Sequence, residues 1–277
     1  MNESKLHVDS SVPLGNVEPH APLLAVPPAG QLLYKIVSAE NLLRSIVGGY
    51  LHFNRVDSYS DFPNADLHDG QQLPKDQPGN AGARFKNAPH YTAADYYDRS
   101  RTRTYACCFS LENSDFIWQN YANGSERGKI CVVFEFGKLR SKLNKTLQPG
   151  NTVLEYEGNR CHQIFSVNYG IVEYVEWNSH QTNSEYLANP IKYAYLKDKQ
   201  RFSEENEFRI SLSAIGIGHF ALRDGSIMQF PSNLQLAFDF RSAIADSTIQ
   251  QILYAPDSDS DFLKTELHKL RIVTGKG

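Results

Sequence analysis

The chain has 277 residues, 41% hydrophobic and 21% charged, enough apolar material for a buried core and a length that fits one large domain or two small ones. Lys and Arg total 28 against 31 Asp and Glu, a formal net charge of -3, which argues against a DNA binder held by a concentrated basic face. The four Cys show no C-x-x-C spacing, and no apolar run nears the roughly 20 residues of a membrane helix, so zinc, redox-motif and membrane-spanning classes drop out.

Residues 1–30 carry Pro13, Pro19, Pro22, Pro27 and Pro28 with no period of 2 or 3.6, and read as a disordered or extended N-terminal arm whose Leu23–Val26 patch docks on the body. Order begins with a strand at 32–37. Ser38 is placed to cap a helix with Leu42, Leu43 and Ile46 on one side, which Gly48 and Gly49 end. A strand at 50–53 follows, then a long polar stretch over 57–90 that reads as a functional or mobile loop, closed by a helix around 93–99.

The runs 105–110 and 130–136 are the strongest strand signals, the second apolar enough for burial on both faces. Between them, Ser114 or Asp115 caps a short helix with Phe116, Ile117, Trp118 and Tyr121. A helix over 139–147 and strands at 152–156, 163–168 and 171–177 come next. The broken apolar stripe of 184–202 predicts a helix with a kink or boundary at Pro190. Strands at 208–212, 234–240 and 249–254 precede a last helix capped by Asp259 or Ser260. No linker splits residues 31–277, and many strands are too close for crossover helices. The expected fold is therefore a single α+β domain with a mixed, mostly antiparallel sheet core flanked by helices.

Four clusters carry candidate chemistry. Tyr34 and Lys35 pair a phenol with an amine suited to a phosphate or a sugar. Ser110, followed by Trp118 and Tyr121, sets a hydroxyl beside aromatic rings able to stack on a flat ligand, although such stripes more often face a core. In the stretch Lys197 to Arg209, Glu204, Glu205, Glu207 and Arg209 surround Phe202 and Phe208. If that segment is extended, Glu207 and Arg209 share the face opposite Phe208 and Ile210, and a Glu beside an Arg stays anionic. Asp57, Asp61, Asp66, His68 and Asp69 suggest a divalent cation, but match no loop spacing and read first as a solvated loop. Cys107, Cys108 and Cys131 lie in apolar runs and read as reduced core thiols.

In order, these stretches resemble a bacterial family of uncharacterised proteins, the domain of unknown function 2971 family. The likeness rests on Leu33-Tyr34-Lys35 with Tyr50-Leu51-His52-Phe53, on Cys108-Phe109-Ser110 with Trp118, Tyr121 and Gly128, and on Lys197, Phe202, Glu205, Glu207, Phe208 and Arg209. The turn Ser60-Asp61-Phe62-Pro63-Asn64, Ile117 before the Trp, and Phe202 depart from the family's pattern. A looser resemblance is to the ADP-ribosyltransferase plan, with an aromatic or basic residue on an early strand, a hydroxyl on a middle one and a Glu before a late one. That resemblance implies an ADP-ribosyltransferase-like fold and NAD as substrate rather than a tightly bound cofactor. It implies Glu207, then Glu205, as the catalytic carboxylate and Ser110 orienting the ribose. Tyr34, Lys35, Trp118, Tyr121 and Arg209 would be the binding residues, with the arginines of 99–103 also able to meet the pyrophosphate. No metal is called for. The expected setting is a cytoplasmic enzyme of bacterial defence or conflict, acting on a small-molecule nucleotide and possessing no membrane attachment, with a protein or nucleic-acid acceptor left open. A non-catalytic nucleotide- or protein-binding module is the alternative, and a metal-dependent nuclease built on the 57–69 loop the third.

Overall fold

A computed structural model describes residues 17–61, 66–147, 154–156, 159–161, 165–182, 189, 191–214, 219–221 and 227–272. Its elements run β1 (Leu32–Ser38), α1 (Ala39–Gly48), β2 (Tyr50–Arg55), α2 (Gln77–Gly82), β3 (Arg84–Phe85), β4 (Ala88–Thr92), α3 (Ala93–Arg101), β5 (Thr104–Ser110), α4 (Asp115–Asn120), β6 (Lys129–Glu135) and α5 (Phe136–Thr146). They continue with β7 (Leu154–Tyr156), β8 (Asn159–Cys161), β9 (Phe165–Ile171), β10 (Glu173–Val175), β11 (Leu196–Asp198), α6 (Lys199–Phe202), β12 (Glu207–Ala214), β13 (His219–Ala221), β14 (Ile227–Gln229), β15 (Asn233–Ala237), α7 (Phe240–Ala245), β16 (Ile249–Tyr254) and α8 (Ser260–Lys269). Local signals act as their chemistry dictates. The Ser38 hydroxyl accepts from Asn41 N at 3.3 Å to start α1, and Gly49, at φ 67°, ends it.

Ten strands form one open antiparallel sheet, and β5 is its hub. Along one edge β5 pairs in full with β12, which continues to β9. The other edge is divided. β1 meets it at Ser110, and β2 meets it at Ala106 and Tyr105, so two wings fork from one strand, β1–β6–β16 and β2–β15–β7–β8. The fold is thus mixed α and β in one body with a mostly antiparallel sheet, as composition and strand spacing lead one to expect.

The period of 2 gives this sheet two unlike faces. Leu33, Tyr105, Cys107, Phe109, Phe134, Phe208, Ile210 and Leu212 pack on one side with Leu42 of α1, Leu139 and Leu143 of α5, Phe240 of α7 and Leu263 of α8. Each such side chain, fully buried, contributes about 1.5–3 kcal/mol. The opposite face of β12 and its neighbours is polar yet also buried, through Glu207, Arg209, Ser211, Ser213, Thr104 and Asn168. It is covered by α2, α3 and a small parallel sheet of β10 and β11, with Tyr96, Tyr97, Val175, Tyr193 and Leu196 as their apolar anchors.

Two expectations need correction. The described part of the 57–90 stretch is built structure, with a 3-10 turn at Val56–Asp61, α2, β3 and β4, while residues 62–65 lie outside the described residues. Its polar groups hold it together. Asp76 accepts from Thr182 Oγ1 at 2.6 Å and Tyr193 OH at 3.0 Å, while Asn80 donates to Gln72 at 2.8 Å, all around a fully buried Leu73. The 184–202 helix does not form over its described part. Residues 191–195 are turns, followed by β11 and the single turn of α6, because Tyr193, Tyr195 and Lys197 are each drawn to polar partners across the interface. Residues 183–188 and 190 of that segment lie outside the described residues, as do residues 1–16 of the arm. From Val17 the arm lies on the body, along the outer edge of β9. Val17 O and Ala25 O accept from Val167 N and Ile171 N, and Glu18 accepts from Arg140 Nε at 2.7 Å. Leu24 packs inward, whereas Leu23 and Val26 remain exposed.

Candidate functional site

The hub strand brings distant candidates into one row. Tyr34 on β1 faces Ser110 on β5, and Ser110 faces Glu207 on β12. Directly opposed residues in antiparallel strands share a face with Cβ atoms roughly 4.5–5.5 Å apart. Three residues scattered over the sequence are therefore neighbours on the polar face.

A chain of buried charges starts from this row. Arg209 grips Asp69 with both terminal nitrogens, at 2.6 and 2.9 Å, and donates from Nε to Glu207 at 2.7 Å. Lys197 then bridges Glu207 at 2.7 Å and Glu205 at 2.6 Å. The other Glu205 oxygen accepts from Tyr121 OH at 2.5 Å. Exposure increases along the chain, from 1% at Arg209 through 3% at Glu207 to 7% at Lys197 and 8% at Glu205. Local geometry sets this order. The pairing of β10 with β11 puts Lys197 beside Tyr174, whose hydroxyl accepts from Glu207 N at 2.8 Å. Asn206, at φ 44°, makes the left-handed turn that lifts Glu205 off the start of β12. Gly170, across from Arg209, leaves room for Tyr195, since a Cβ there would come within 2.7 Å of its ring.

The two glutamates are pushed apart. Burial alone would raise Glu207, but the Arg209 and Lys197 charges outweigh it and hold its carboxyl far below the usual range. Burial also acts on Glu205. There Lys197 pulls downward, Glu207 adds to burial, and the carboxyl ends raised. Burial and the charge of Glu205 likewise raise the Tyr121 phenol, so Tyr121 is a donor. Opposed directions in adjacent carboxyls are the usual mark of divided acid–base roles.

Other candidates are placed differently. The Ser110 hydroxyl donates to the Glu205 carbonyl at 2.8 Å, so it clasps the turn. Lys35 lies on the apolar side, opposite Tyr34, where it donates to Cys108 O at 3.1 Å and sits 5.0 Å from the Phe109 ring centre. The Trp118 indole donates to Asn113 at 2.8 Å, while Tyr121 reaches Glu205. Burial and the Glu207 charge push the Cys108 thiol up, away from any nucleophilic role. Asp69 is spent on Arg209, and among the described residues no three His, Cys, Asp or Glu side chains are grouped to hold a metal. The arginines of 99–103 precede Thr104, the far end of β5 from Ser110. Six residues of strand put roughly 20 Å between those ends, too far to serve one ribose and its pyrophosphate. A small pocket of about 10 Å³, lined by Val56, Gly70, Tyr97, Arg101, Thr104, Tyr193 and Ala194, also lies at that far end.

Two members of the charge chain escaped the sequence reading as site residues. Lys197 was legible only as the start of the 197–209 cluster and of a family-like stretch, with no role assigned to it, and Asp69 only as one of several loop acids. Neither a family model nor a curated protein sequence matches the chain. Among the described residues, no helix is long and apolar enough to cross a membrane.

Proposed function

We propose that the chain is an NAD-using enzyme of ADP-ribosyltransferase-like or NAD-glycohydrolase-like chemistry, with Glu205 rather than Glu207 as its working carboxylate. The observation that carries this reading is the Lys197 bridge, with a pinned anion on its inner side and a raised carboxyl on its outer side. Breaking the bond from the nicotinamide nitrogen to ribose C1′ sends the electron pair to the departing nicotinamide and leaves positive charge on the ribose. Water or an acceptor hydroxyl then attacks C1′ and must lose a proton. A carboxyl raised above the ordinary carboxylate range is suited to take that proton. Glu207 positions Lys197, and Lys197 positions Glu205. Tyr34, half-buried at the end of the same row, offers a ring for the ligand.

The test is purified protein with NAD, read as free nicotinamide. Glu205→Gln is expected to lower release by about 100-fold or more. Unaltered turnover in that variant, or none in the wild type, ends the reading. One observation favours the non-catalytic module instead: the Ser110 hydroxyl and the Glu207 carboxylate are already engaged by protein groups. Calorimetry showing that NAD or ADP-ribose binds without nicotinamide release would select it.

A further inference from the structure

Arg103 poses a charge problem at the other end of β5. A guanidinium stays protonated in proteins, and Arg103 is only 4% exposed. Its side chain hydrogen-bonds the Tyr96 phenol, but its Nε has no hydrogen-bond partner, and among the described residues no carboxylate forms an ion pair with it. What surrounds it is aromatic and cationic. The Tyr96 ring centre lies 5.9 Å from its guanidinium, and exposed Arg99 stacks at 5.1 Å over Tyr91 beside it. A buried charge without a counter-charge is strongly destabilising, whereas two guanidiniums flanked by phenols match the donor geometry that recognises an oxyanion.

We propose that Arg103, with Arg99, Tyr91 and Tyr96, forms a binding site for a phosphate-class oxyanion, separate from the Glu205 site. The guanidinium supplies paired N–H donors to two anion oxygens, Arg99 adds a second charge from the solvent side, and the rings fix both planes. The strand length between Arg103 and Ser110 keeps this anion distinct from any ligand on the Glu205 row.

The probe is inorganic phosphate, with chloride at matched ionic strength as control. Wild-type thermal midpoint is expected to rise by about 2–4 °C once phosphate exceeds its dissociation constant several-fold. Arg103→Met should abolish that rise. Should Arg103→Met fail to fold, Arg99→Ala stands in, because Arg99 is exposed; calorimetry should show it binding phosphate several-fold more weakly. Ribose 5-phosphate separates sources. Binding ten-fold tighter than phosphate assigns the site to a phosphomonoester, and equal binding assigns it to the free anion. A wild type that gains nothing over the chloride control, or an Arg103→Met variant that gains as much as the wild type, overturns the proposal.

Discussion

The pair β5–β12 carries a buried arginine near each end, and the two are treated in opposite ways. Arg209, near the Ser110 end, has Asp69 and Glu207 on three of its donor positions and a backbone carbonyl, Ala194 O, at 2.7 Å. Arg103, at the Thr104 end, has a hydrogen bond to the Tyr96 phenol, rings and a neighbouring cation. Both are almost fully buried. Carboxylates of the protein neutralise one, while among the described residues none pairs with the other. A closed network of this kind holds a fold in register, while an open one is where a ligand enters the energetics.

The largest test of that contrast is Arg209→Met. It leaves Asp69 and Glu207 facing one cation, Lys197, and is expected to cost about 3–5 kcal/mol in denaturant unfolding. Adding Asp69→Asn should recover part of that loss, because the pair acts as a unit. Additive losses would mean that Arg209 contributes packing rather than charge closure.

Next in size is a pair of opposite pH effects within the closed network. Glu207 has a folded pKa below its unfolded value, so its stabilisation is present above about pH 4.3 and is lost as pH falls through the folded pKa. Glu205 is raised, so the stabilisation from its bound proton is present below about pH 4.3 and is lost as pH rises through the folded pKa. Glu207→Gln should therefore remove an acid-side loss. Glu205→Gln should gain on the wild type as pH climbs from about 4 toward neutrality. Urea midpoints on both sides of about pH 4.3 decide it, and parallel curves for Glu205→Gln and wild type would show that the two carboxyls are not held apart.

Much of this was readable from the chain itself, and the failures have physical causes. The alternation that sets Glu207 and Arg209 opposite Phe208 and Ile210 is a local rule of extended backbone, and it holds in β12. The Ser38 cap and the Gly49 stop are equally local. Lys197 was hidden because Tyr193, Tyr195 and Lys197, though spaced two apart, sit in a stretch whose other apolar residues imitate a helix. The Asp69 pairing joins residues 140 positions apart, and no pattern of spacing encodes it. The polar stretch over 57–90 was misjudged because its side chains satisfy one another rather than water. Lys35 was assigned with Tyr34 because they are adjacent in sequence, although adjacent strand residues point to opposite faces.

That last point yields the smallest and most discriminating prediction. Between its contacts with β1 at Ser110 and β2 at Ala106, β5 has a stretch of edge that neither wing covers. The Cys108 carbonyl on that edge receives its hydrogen bond from the Lys35 ammonium. Lys35→Met keeps the stem over Phe109 but leaves that carbonyl bare, a loss of about 1 kcal/mol in unfolding free energy. Because Lys35 lies across the sheet from Tyr34, nicotinamide release should stay within about two-fold of wild type, a difference worth under 1 kcal/mol of barrier. If the fork needs Lys35 only as a surrogate strand donor, stability moves and turnover does not. The reverse result, intact stability with release lowered ten-fold, would place the amine at the ligand and remove the fork as the reason for a lysine on β1.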